Sequence, residues 1–198
     1  MRVIAGNSRA RNVALPILMA SLVLGLVLFA ATEGSAQLKI LRVNKGGSVP
    51  TNAVGGGNLT AVFNAACDWW EARIKDTHTV TIEYSWAPLG GSTLGVHNLV
   101  TQSGTPNRET KATVRFDNDG SSVFFMDPTP YDHSEYGTYS QTTQNFGGGT
   151  MNKGRVYSSP TGSAVGRSDL LAVAIHEVGH ALGLSSANTA FTAENTDG

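Results

Sequence analysis

The segment Ser168-Asp169-Leu170-Leu171-Ala172-Val173-Ala174-Ile175-His176-Glu177-Val178-Gly179-His180-Ala181-Leu182-Gly183 sets three ionisable side chains inside an apolar run. Its length and flanks predict a helix over 170–182. Ser168 is a helix cap, Asp169 suits the first turn, and Gly183 is a terminator. At about 100° per residue, His180 falls one turn below His176 on the same face, so both imidazoles can reach one ion at roughly 2.0–2.1 Å. Glu177, offset by one position, lies beside such an ion without ligating it, within hydrogen-bond reach of a water on it. Two histidines and a glutamate without partners are costly to bury in the most apolar helix of the mature chain, which favours a metal site over a chance match. The chemistry that follows is hydrolysis. The cation brings a water's pKa toward neutrality, Glu177 takes the proton as the water attacks a peptide carbonyl, and the same carboxyl protonates the leaving nitrogen.

Working outward, the amino terminus reads as an export signal. Arg2, Arg9 and Arg11 precede an apolar run from Val13 to Ala31, and small residues follow at Gly34, Ser35 and Ala36. That order predicts a secretory signal peptide over residues 1–36, cut after Ala36. An uncleaved membrane anchor is the alternative, because the apolar run approaches a bilayer-spanning length. Either way the body, residues 37–198, is exported, and its expected place is extracellular.

The 198 residues thus leave about one ordinary domain. Hydrophobic residues at 40% and charged residues at 15% describe a folding chain rather than a disordered one. A net charge of -1 supplies no electrostatic reason to bind nucleic acid or an anionic membrane surface. The single cysteine, Cys67, excludes an internal disulfide and reads as a small buried thiol beside Ala65 and Ala66.

Between signal and motif the periodicities are mixed. Gln37 to Val43 reads as a short strand, with Leu38, Ile40 and Arg42 alternating against Lys39, Leu41 and Val43. After a Gly-rich connector, Asn58 offers a cap for a helix reaching about Lys75. Its stripe of Leu59, Val62, Phe63, Ala66, Trp69, Trp70 and Ile74 predicts one face packed on something flat, with both tryptophans in the core. Thr79 to Trp86 alternates strictly and is the clearest strand. Ala112 to Phe116 and Ser122 to Met126 flank Asp117-Asn118-Asp119-Gly120 and read together as a hairpin. The same four residues resemble part of a calcium loop, but the distal glutamate of an EF-hand is absent at its offset. Residues 127–167 read as a long loop with one strand-like run, Arg155 to Ser158, suited to cleft walls.

The run His176-Glu177-Val178-Gly179-His180-Ala181-Leu182-Gly183 resembles the helix and glycine turn of the metzincin zinc peptidases, especially bacterial matrixin-like ones. The resemblance covers their amino-terminal subdomain. It implies an α+β zincin-like fold in which a twisted mixed sheet packs against a backing helix and an active-site helix. It implies zinc as cofactor, His176 and His180 as ligands, Glu177 as the catalytic base, and a polypeptide substrate bound as an extended strand along the sheet edge. A second structural zinc or a calcium ion, common in that family, is implied by the resemblance alone.

This chain departs from the family pattern twice. The family's third histidine corresponds to Ser186, a poor zinc ligand. Glu194, Asp197 and Asn188 are alternatives from a returning loop, and His78, His97 and His133 are alternatives that only the fold could bring in. No methionine follows Met151 to form the family's downstream turn, so residues 37–198 are expected to be a domain truncated at its C-terminal end. Three functions remain open: an exported endopeptidase, a zinc-binding module without turnover, and a zinc amide hydrolase acting on cell-wall peptide.

Overall fold

A computed structural model describes residues 37–145 and 149–194, apart from the side chains of Met151 and Glu194. The expected signal segment, and Asp197 among the candidate ligands, lie outside the described residues. In chain order the elements are β1 (Lys39–Asn44), α1 (Leu59–Glu71), β2 (Thr79–Ala87), β3 (Gly95–Ser103), β4 (Arg108–Asp117), β5 (Phe124–Phe125), β6 (Tyr136–Asn145), β7 (Thr150–Pro160), β8 (Ser168–Asp169), α2 (Leu170–Ala181) and α3 (Thr189–Glu194). The fold is mixed α+β. Its main sheet is twisted and has the order β1-β2-β4-β3, with β1, β2 and β4 parallel and β3 antiparallel at the edge.

Alternation decides which face of that sheet is covered. Val80, Ile82, Tyr84 and Trp86 of β2 are buried, as are Ala112, Val114 and Phe116 of β4, and they form one core with the apolar faces of α1 and α2. Leu38 and Ile40 face the same core while Leu41 and Val43 are exposed, which settles the facing of β1. Phe63 of α1 stacks on Tyr84 with ring centres 4.0 Å apart and meets Phe116 edge-on. Cys67 is fully buried, and burial, opposed by Arg42, pushes its thiol up to about 12.

Helix α1 starts where expected: the Asn58 side chain accepts from the Ala61 amide at 2.9 Å. It ends at Glu71, four residues earlier than the stripe suggested, and Ile74 packs on the core from the following turn. The two tryptophans separate. Trp69 is exposed and carries the Arg73 guanidinium 3.8 Å above its ring. Trp70 is half-buried and donates its indole N–H to the Ile175 carbonyl at 2.9 Å, pinning α1 to α2.

Two expectations are corrected. The residues Asp117 to Gly120 do not turn a hairpin between β4 and the next strand. β4 pairs instead with β2 and β3, and β5 pairs in parallel with β8 at the start of α2. The Asp117 carboxylate faces inward and accepts from the amides of Leu89 and Asp119, tying the turn to the loop after β2. The actual hairpin joins β3 to β4. Its first strand, Gly95-Val96-His97-Asn98-Leu99-Val100-Thr101-Gln102-Ser103, has too little regular alternation to stand out. Likewise, residues 127–167 contain an exposed two-stranded ribbon, β6 with β7, whose Ser-, Thr- and Gln-rich strands carry little hydrophobic signal.

Candidate metal centre

Helix α2 begins at Leu170 and is capped by the preceding Asp169, whose side chain accepts from the Leu171 amide at 2.9 Å, so the cap is Asp169 rather than Ser168. Ser168 and Asp169 are instead held in β8. Burial holds the Asp169 carboxyl above its ordinary 3.8, against the hydrogen bonds from Leu171 and Tyr136.

The other end of α2 sets the histidines. Gly183 adopts φ +110°, a conformation side chains disfavour, and its amide donates to the His180 carbonyl while the Leu184 amide reaches back to Gly179. That reversal brings the Leu184 carbonyl 2.6 Å from His180 Nδ1. A carbonyl only accepts, so Nδ1 carries the proton and Nε2 of the neutral ring is left with its lone pair. That Nε2 stands 2.9 Å from Nε2 of His176, with the rings edge-on at 83°. Two ligands at roughly 2.0–2.1 Å from one ion span that distance at about 90°. His176 is exposed and His180 half-buried, so the shared point is open to solvent. The pair therefore fits a zinc-class cation.

Glu177 differs from both. It is buried, with the His97 backbone of β3 near its carboxylate. Burial raises its pKa above 4.5, and the nearby imidazoles of His176, His180 and His97 oppose the rise. The strand beside it is shaped for this. A Cβ at Gly95 would lie 2.8 Å from Glu177 Cγ and 2.9 Å from Val173 Cγ1.

The other candidates scatter. Asn188 is buried and caps α3, with Oδ1 accepting from Ala190 and Phe191. Ser186 is exposed, and its carbonyl accepts from the Thr192 hydroxyl. The His78 ring bonds to the Glu109 carbonyl at 2.6 Å, and His133 packs against Tyr157. His97 alone of the three outlying histidines reaches the pair, its ring centre 6.1 Å from that of His180. Among the described residues, no three His, Cys, Asp or Glu side chains are gathered to hold a metal.

Sequence reasoning overlooked Gly95, Glu109 and Leu184. Only the spacing of Gly95 and His97, two residues apart and so on one strand face, offered a signal. Compared with protein-family models, curated proteins and solved structures, the chain finds no match.

Proposed function

We propose that this chain is an exported zinc-dependent endopeptidase of metzincin, matrixin-like type with a zincin-like fold. On this reading α1 is the backing helix, α2 the active-site helix and β3 the rim of the substrate cleft. The observation that carries it is the convergence of the His176 and His180 Nε2 atoms at 2.9 Å beside a buried Glu177.

Zinc held by His176 and His180 would supply Lewis acidity and a more acidic water. The remaining work falls to the chain. The close approach of Gly95 packs the Glu177 side chain against β3, and burial raises its proton affinity toward the range in which one group can both take and return a proton. Glu177 accepts the proton of the attacking water and delivers it to the leaving nitrogen. Among the described residues the outer edge of β3 has no neighbouring strand in the sheet order, and an extended polypeptide would pair with it through backbone hydrogen bonds.

The experiment is zinc analysis together with peptide cleavage for wild type and Glu177→Ala. Cleavage by wild type, lost in a variant that keeps its metal, supports the reading. Equal turnover by the variant removes Glu177 from the mechanism. A zinc-binding module without turnover is the second reading, favoured by the exposed Ser186 where a third ligand is expected. It predicts metal in wild type with no cleavage. A peptide panel that includes cell-wall peptides separates an amide hydrolase from both.

A further inference from the structure

We infer that His97, oriented by Glu109, is the third metal ligand of this centre, in place of the side chain at position 186. The inference rests on the zinc reading above and adds a ligand from a different element, the edge strand.

Placement comes first. Residues two apart on a strand face the same way, and a Cβ on Gly95 would strike Glu177 and Val173 of α2. His97 therefore points to α2 as well, about 7 Å further along, where the next turn presents His180. The strand is already docked there, with Gly95 against Glu177 and Val173. Rings bound to one tetrahedral zinc have centres about 5 Å apart. His176 and His180 stand at 4.4 Å and His97 and His180 at 6.1 Å. The His97 ring thus lies about 1 Å further from that of His180 than shared ligation requires, a gap that a side-chain movement would close.

Polarity supplies the second argument. The His97 side chain is 3% exposed and Glu109 is 0% exposed, and His97 Nε2 lies 2.8 Å from Glu109 Oε2. A carboxylate that accepts from one ring nitrogen fixes the tautomer and leaves the other nitrogen, here Nδ1, free to ligate. That carboxylate–imidazole pairing is the usual outer shell of a zinc-bound histidine. Among the described residues, the buried Glu109 Oε1 has no hydrogen-bond partner. A buried carboxylate facing a neutral imidazole keeps an uncompensated negative charge, which is costly in the core of a small domain. A divalent cation on the far nitrogen of that imidazole compensates it.

The test uses the exported protein with 15N-labelled histidine, titrated with Zn2+ and observed by NMR. The chain has five histidines, and three should show a zinc-bound ring nitrogen, His97 through Nδ1. Zinc shifts on His176 and His180 alone overturn the inference and leave the zinc reading standing. No zinc shift on any histidine overturns both. In parallel, Glu109→Gln should weaken zinc binding about 10–100-fold, and His97→Ala should weaken it more. Each should keep a cooperative melt without metal. The Co2+-loaded form should change its visible spectrum in His97→Ala, reflecting one nitrogen ligand fewer. Unchanged affinity and spectrum in a folded His97→Ala protein would reduce the pair to a structural contact, and the wild-type NMR count decides the matter if that variant does not fold.

Discussion

Gly95 and Glu177 occupy one another's space: the position where a side chain would begin on Gly95 is 2.8 Å from Glu177 Cγ and 3.0 Å from its Oε1. Gly95 is not among the glycines with positive φ, so its role is steric. Gly95→Ala should displace the carboxylate or push β3 from α2, destabilising the fold by roughly 1–3 kcal/mol. If the carboxylate moves, kcat falls while zinc content holds. A variant with wild-type melting temperature and wild-type kcat would show that the contact relaxes freely.

Glu177→Ala should abolish cleavage, by roughly 100-fold or more, with zinc retained. Wild-type kcat/KM should also lose its base on the acid side at a pH above 4.5, because burial raises the Glu177 pKa from that value. An acid limb centred at or below 4.5 would show that a group other than a burial-raised Glu177 sets the acid side of the profile.

His176→Ala and His180→Ala should each lose zinc at neutral pH, and wild type should release it in acid as the imidazoles protonate. Zinc at full stoichiometry in the double variant would move the site elsewhere.

Asp169 offers a pH-dependent stability test away from the metal. Burial is the chief cause that raises its folded pKa above the ordinary carboxyl value. The native state therefore binds more protons than the unfolded chain in the window above about pH 3.9, and stability falls as pH rises through the folded pKa. Asp169→Asn keeps a good helix cap and should flatten that part of the stability profile in urea titrations. An unchanged slope would assign the dependence to other groups, Glu135 first, which burial also raises.

Trp70→Phe removes the indole donor to Ile175 while preserving most of the apolar contact. A loss of about 1–2 kcal/mol is expected. Gly179 lies under the same ring, with 3.0 Å between a Cβ there and Trp70 Cζ2, so Gly179→Ala should partly recover when combined with Trp70→Phe. Strict additivity of the two losses in denaturant melts would show that the residues do not share this contact.

Local periodicity was enough for the parts of this protein that one element can specify alone. The alternation of Thr79 to Trp86, the cap at Asn58, and the pairing of His176 with His180 one turn apart all depend on neighbours within a few residues. Even the turn after α2 is written in Gly183, because only glycine readily adopts its conformation. Strand partners and the surroundings of the site are different, because they join segments far apart in the chain. β3 is held to β4 by backbone bonds that carry no side-chain signature, and its polar sequence hid it. The same holds for Glu177, whose neighbours at Gly95 and His97 lie about eighty residues earlier. Burial, the carbonyl that sets the His180 tautomer and the approach of His97 arise only when β3 is laid against α2, since desolvation and contact are properties of packed surfaces rather than of sequence spacing.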